Sequence, residues 1–186
     1  MTTRDRLLAA AVDYVAEHGV GELSLRPLAA ALGTSHRMLI YHFGSKEGLL
    51  VEVVREVERR QRQTFAEIDV AGATPAEAMR RMWRRLADPS LWPHERLFFE
   101  MYGQALQGRP GTEVLLEGII DSWVETASAV ADRLGIPADV ARAQARLGVA
   151  VVRGLLLDLL ATGDRAGVDA AHEQFIAMSE AVVLPS

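Results

Sequence analysis

The chain has 186 residues, 49% of them hydrophobic and 6% aromatic, with a formal net charge of −5; this is globular material with enough apolar residues for a core. There is no cysteine, which excludes disulfides, thiolate metal sites and cysteine nucleophiles and suits a reducing cytoplasm. Residues 1–50 carry five Lys/Arg against five Asp/Glu, so the acidic excess lies entirely behind them; a neutral head on an acidic body permits phosphate contacts at the head.

In chain order, Leu7, Leu8, Ala11, Val12 and Val15 recur at three- and four-residue steps and predict an amphipathic helix over 4–18, stopped at His18-Gly19. The early acids Asp13 and Glu17 argue against a signal peptide there. Ser24 is a helix-capping residue with Pro27 in the first turn that follows; Leu28, Ala29 and Leu32 point inward until Gly33. Ser35 caps a third helix holding Met38, Leu39 and Phe43, and Gly44-Ser45 breaks it. Ser45 then caps a fourth, from Lys46 through Leu49, Leu50, Val53, Val54 and Val57. Such short helices joined by tight glycine turns make a helix-turn-helix.

Further helices are predicted near 75–87, 94–107, 112–134, 137–162 and 167–183, between breaks at Gly72, Pro89, Pro93, Gly108 to Gly111, Gly135-Ile136-Pro137 and Gly163-Asp164. Residues 147–160 are apolar but interrupted by Arg153 and Asp158, well short of the ~20 apolar residues of a membrane span. The fold class is all-α: a helix-turn-helix domain over 1–47 and a helical domain over 48–186.

The third helix needs an apolar side for docking and a polar side for a partner. Leu39, Phe43 and Ile40 make the first; Ser35, His36, Arg37, Met38, Tyr41 and His42 remain for a DNA groove. A major groove about 12 Å wide admits one such helix. Arg37 suits a bidentate contact to guanine and Met38 a thymine methyl. Lys46, the only lysine in the chain, lies at the first turn of the fourth helix and suits a phosphate, while Ser24 and Arg26 can clamp the same strand. His36 and His42 are six apart, off a common helical face, and no metal-spaced set, phosphate loop or nucleophile–base pair is visible. No catalytic residue, metal or cofactor is expected, and an enzyme is disfavoured. The remaining rival is a helical ligand-binding or scaffolding dimer that does not bind DNA.

The run from Leu28 through Leu50 resembles the N-terminal signature of the tetracycline-repressor (TetR) family, with Leu28, Ala29, Gly33, Ser35, Leu39, Phe43, Lys46 and Leu49 in matching positions. With the preceding helix and Ser24-Leu25-Arg26, the resemblance covers about residues 4–50. Thr34 replaces the family's usual apolar turn residue, and Ile40 stands where the family carries tyrosine; a phosphate-contacting hydroxyl then comes from Tyr41, one residue on. The resemblance implies a repressor that binds a palindromic double-stranded DNA operator in the cytoplasm and is released by a small apolar or aromatic effector.

It also implies a homodimer through two late helices, and those near 112–134 and 137–162 look like that pair. The first carries the stripe Leu116, Ile119, Ile120, Trp123, Ala127, Val130 and Leu134, and the second is apolar almost all round. An effector cavity is implied among the middle helices. Met82, Trp83, Leu86, Trp92, Phe98, Phe99, Tyr102 and Trp123 are its candidate lining, Met and aromatic groups being adaptable and apolar. The stripe Arg80, Arg81, Arg84 and Arg85 reads as a solvated face paired to acids.

Overall fold

A computed structural model describes residues 2–19, 24–68 and 70–183. Its elements are α1 (Thr3–His18), α2 (Leu25–Ala31), α3 (His36–Phe43), α4 (Lys46–Ala66), α5 (Pro75–Leu86), α6 (Trp92–Leu106), α7 (Ile119–Arg133), α8 (Ala138–Thr162) and α9 (Arg165–Val183), with 3₁₀ turns at Pro89–Leu91 and Glu113–Leu116. The described residues contain no strand, so the all-α reading holds.

Local chemistry sets most boundaries. Thr2 and Asp5 form a capping box: Thr2 Oγ1 accepts from the Asp5 N–H at 3.2 Å, and Asp5 Oδ2 accepts from the Thr2 N–H at 2.8 Å. Those hydrogen bonds to Thr2 hold the Asp5 carboxyl below its usual range. Thr74 and Glu77 repeat the device at α5, with Pro75 opening that helix. The turn between α2 and α3 closes at Gly33, whose φ of 63° is open to glycine without strain, and the Thr34 N–H there bonds the Ala29 carbonyl at 2.9 Å.

One expected helix divides. The segment predicted as one helix over 112–134 is a 3₁₀ turn at Glu113–Leu116 and, separately, α7 from Ile119. Gly118 between them has φ 69°, which no α-helix accommodates, so Leu116 falls outside the stripe on α7. Pro93, read as a break, instead lies in the first turn of α6, where its missing N–H costs nothing.

The described chain divides into two compact units. One comprises Met1–Arg60 and Pro89–Ile119, the other Gln61–Asp88 and Ile120–Ser186. In the first, α2 packs on α3, and α1 packs on both α2 and α6. Leu7, Val12, Val15, Leu28, Leu39, Leu49, Leu97 and Met101 are buried there. His94 of α6 bonds the Val12 carbonyl of α1 at 3.1 Å; a carbonyl only accepts, so Nε2 carries the hydrogen. Its Nδ1 is then a buried lone pair without a partner among the described residues.

In the second unit α9 packs against α5 and α8. A polar lock ties α9 to α5: the Trp83 indole N–H donates to Asp169 at 2.6 Å, and Arg165 bonds both Asp169 oxygens at 2.8 Å. Arg165 also reaches the Ala87 carbonyl at 2.9 Å. His172 is 1% exposed and stacks on Trp83 with ring centroids 4.9 Å apart. Arg80, one residue of the predicted basic stripe, meets Glu173 at 2.8 Å.

Burial lowers the His172 imidazole below its usual 6.5, against the opposing pull of Glu173 and Asp169. Burial pushes the Asp169 carboxyl up, but hydrogen bonds from Arg165 and Trp83 outweigh it and hold the group below its usual 3.8. Both groups bind fewer protons when folded than unfolded, so stability falls on acidification. The His172 part is full above about 6.5 and drains as pH drops towards the folded value; the Asp169 part follows below about 3.8. Urea midpoints are therefore expected to fall between pH 7.5 and 5, and His172→Phe, which keeps the stack, should flatten that slope.

Candidate nucleic-acid interface

On α3 the amphipathic pattern resolves into two faces. Leu39 and Phe43 are buried against the rest of the first unit, and Ile40 is half-buried beside them. Arg37, Met38 and Tyr41, centred on the opposite side at 100° per residue, are exposed, Tyr41 to 79%. His36, at the helix start, is also exposed. The helix is pinned at its entry by Ser35, whose Oγ accepts from the Met38 N–H at 3.2 Å.

The candidate residues differ in how free they are to meet a partner. Ser24 occupies the N-cap position of α2, yet its side chain makes no cap hydrogen bond; Arg26 beside it is exposed. His42 departs most from a groove-facing role. It is half-buried, and its Nε2 is enclosed without a partner among the described residues. Its ring meets Tyr41 edge-on at 5.1 Å. Ser45 caps α4 as expected, its Oγ accepting from the Gly48 N–H at 2.9 Å, which places half-buried Lys46 in the first turn.

Charge pairing sorts the cations of this unit. Arg59 and Arg60 both bind Glu56, and Arg4 binds Glu52 at 2.8 Å. Among the described residues Arg6, Arg26, Arg37, Lys46, Arg55 and Arg96 form no ion pair, and of these Arg26, Arg37 and Lys46 stand at the starts of α2, α3 and α4.

Two positioning side chains escaped the sequence reading. Arg4 of α1 lies 5.2 Å from the Phe43 ring centroid while paired to Glu52, so one guanidinium ties α1 to α3 and α4. Arg109, from the loop after α6, reaches Glu47 of α4 at 3.3 Å. Neither pairing has a signal in residue spacing.

The candidate effector residues fall into two groups. Trp92, Phe98, Phe99 and Tyr102 lie on α6 in the first unit, where Phe98 stacks on Tyr102 at 5.3 Å and meets Phe99 edge-on at 5.2 Å. Met82, Trp83, Leu86 and Trp123 are buried in the second unit. The Trp83 N–H is already committed to Asp169, and Trp123 lies 6.3 Å from Phe65. Two adjacent phenylalanines divide as helical geometry requires: Phe98 is buried and Phe99 half-buried.

The exposed apolar surface of the late helices has its own order. Val140, Ala143, Leu147, Ala150, Gly154, Leu157 and Ala161 run along α8 at alternating three- and four-residue steps, and all are exposed. On α9 Ala171, Gln174, Met178 and Ala181 do the same. The stripe on α7 is mixed: Ile119, Trp123 and Val130 are buried, while Ile120, Ala127 and Leu134 at its end are half-buried.

The family model described as "Bacterial regulatory proteins, tetR family" matches residues 7–53. The HTH-type transcriptional repressor NicS of Pseudomonas putida is 30% identical over 80 residues, 43% of this chain and 38% of that protein. The HTH-type transcriptional regulatory protein RaaS of Mycobacterium tuberculosis is 45% identical over 49 residues, 26% of this chain and 23% of that protein. These matches thus span less than two fifths of either relative's length. A crystal structure of a transcriptional regulator from Rhodococcus sp. Rha1 shares the fold over 95% of both chains, with TM-score 0.75 and 24% identity.

Proposed function

We propose that this chain, whose residues 7–53 match the tetR family of bacterial regulatory proteins, is a ligand-responsive repressor of that kind, a homodimer that lays two copies of α3 in the major groove of a palindromic operator. The match over residues 7–53 supports a DNA-binding regulator over an enzyme. The observation that carries the reading is the two-faced α3, with Leu39 and Phe43 docked and Arg37 and Tyr41 exposed. Arg37 reads guanine, Met38 meets a thymine methyl, and Tyr41, Lys46, Ser24 and Arg26 bind phosphates. Repression accords with the relative named as a repressor.

The dimer seam we propose joins α8 and α9 of each copy. Small residues at Ala143, Ala150 and Gly154 allow close approach, and Leu147, Leu157 and Met178 supply apolar area. The seam is placed on α9 rather than α7 because Ile119, Trp123 and Val130 of α7 are buried, whereas the α9 row is exposed. No helix of the described residues is long and apolar enough to cross a membrane; a cytoplasmic location follows from the DNA partner. The effector is an apolar or aromatic molecule, and α6 offers half-buried Trp92, Phe99 and Tyr102 for it. To act as a switch it must favour the DNA-incompetent arrangement, and coupling of ordinary size lowers operator affinity about 5–150-fold.

The test is selection from random-sequence duplexes at moderate salt, repeated with apolar and aromatic compounds present. The wild type is expected to enrich one palindromic motif. Arg37→Ala should lose preference at one symmetric pair of positions, about 1–3 kcal/mol of discrimination. Lys46→Ala should weaken every duplex alike and lower the salt slope by about 1. A wild type that enriches nothing contradicts the DNA-binding reading.

A further inference from the structure

We propose that Arg109 is a positioning residue for DNA binding: from the loop after α6 it neutralises Glu47 at the start of α4 and so keeps a carboxylate from opposing the phosphate held by Lys46. The inference rests on the DNA-binding reading of α3 and α4. Glu47 follows Lys46 directly, in the first turn of a helix whose entry is fixed by Ser45. A bare carboxylate there repels the same phosphate that Lys46 attracts.

The pair is built rather than casual. Arg109 Nη2 donates to Glu47 Oε1 at 3.3 Å. The loop that delivers it is fastened on both sides. The Arg109 N–H bonds the Gln104 carbonyl at 3.1 Å, and the Arg109 carbonyl accepts from the Thr112 N–H at 3.2 Å and from Thr112 Oγ1 at 2.7 Å. Thr112 is fully buried, so the loop is anchored at a point without solvent. The next glycine brings the loop backbone against α4: a Cβ on Gly111 would lie 3.7 Å from both the Glu47 Cβ and Ser45 Oγ. The loop therefore rests on the first turn of α4, with its guanidinium at the one acid of that turn.

The experiment is a cycle of full-length wild type, Arg109→Ala, Glu47→Gln and the double variant. Each is titrated with one mixed-sequence duplex DNA at several salt concentrations, with Arg109→Lys as the conservative control. Arg109→Ala is expected to weaken binding about 2–5-fold, the size of one surface charge interaction, with thermal stability kept. Arg109→Lys should restore most of the affinity, Glu47→Gln should bind at least as tightly as wild type, and in that background Arg109→Ala should change nothing. A loss that persists with Glu47→Gln, with the salt slope lowered by about 0.9, means that Arg109 touches phosphate itself and overturns the inference. Unchanged affinity in Arg109→Ala overturns it equally. A wild type that binds no duplex removes the DNA-binding reading and this inference together, whereas the other two failures leave that reading standing.

Discussion

Leu39→Ala is expected to destabilise the reading head by about 2–5 kcal/mol, the range for truncating a fully enclosed leucine when its surroundings relax only in part. Leu39 is 1% exposed and, with Phe43, forms the buried side of an eight-residue helix. A helix that short has little intrinsic stability and is helical because it is docked. Its loss should therefore appear as lower thermal stability and as weakened binding to every duplex, specific or not. Tyr41→Ala, two residues on and on the opposite face, is the contrasting variant. Tyr41 is 79% exposed, so its removal should leave the melting temperature nearly unchanged while DNA affinity drops. Circular dichroism melts beside duplex titrations check both. If the two variants behave alike in the melts, the division of α3 into a docking and a reading face is wrong.

Leu157→Glu should give a folded chain that no longer self-associates. Leu157 is 51% exposed on α8, in line with Leu147 at 57%, whereas its neighbours Leu156 and Leu159 are buried. A charge at Leu157 thus meets water in the lone chain and costs folding little. In a dry two-fold seam the same residue enters twice, and each unpaired carboxylate costs several kcal/mol. Light scattering should report a monomer with unchanged helicity, against a dimer for wild type. Operator affinity should fall by orders of magnitude, because linking two reading heads adds about 10²–10⁴-fold over one. A Leu157→Glu dimer places the seam elsewhere, and a wild-type monomer at micromolar concentration removes the dimer from the proposal. An unfolded variant assigns Leu157 to the chain's own core.

The reading head was legible in the sequence because its signals act within a few residues. Ser35 and Ser45 cap the helices that follow them, Gly33 and Gly44 take positive φ at the breaks between, and the spacing of Leu39 and Phe43 marks one side of α3. The same local chemistry placed the ends of α5 and α8 to within one residue of expectation. Periodicity tells which face of a helix avoids water but not what covers it. On α7 packing buries Ile119, Trp123 and Val130 but leaves Ile120, Ala127 and Leu134 half-buried; α8 is apolar almost all round, and packing on α9 decides that Leu156 and Leu159 turn inward while Leu147 and Leu157 stay out. Pairings between residues far apart in the chain were beyond any spacing rule. His94 meets Val12 across 82 positions and Arg109 meets Glu47 across 62, and α6 and its loop lie in the same compact unit as α1 to α3. The capture of the Trp83 N–H by Asp169 belongs with these. Each depends on which polar atoms meet once the helices have packed, and a buried donor or acceptor takes whatever partner the tertiary structure brings within reach.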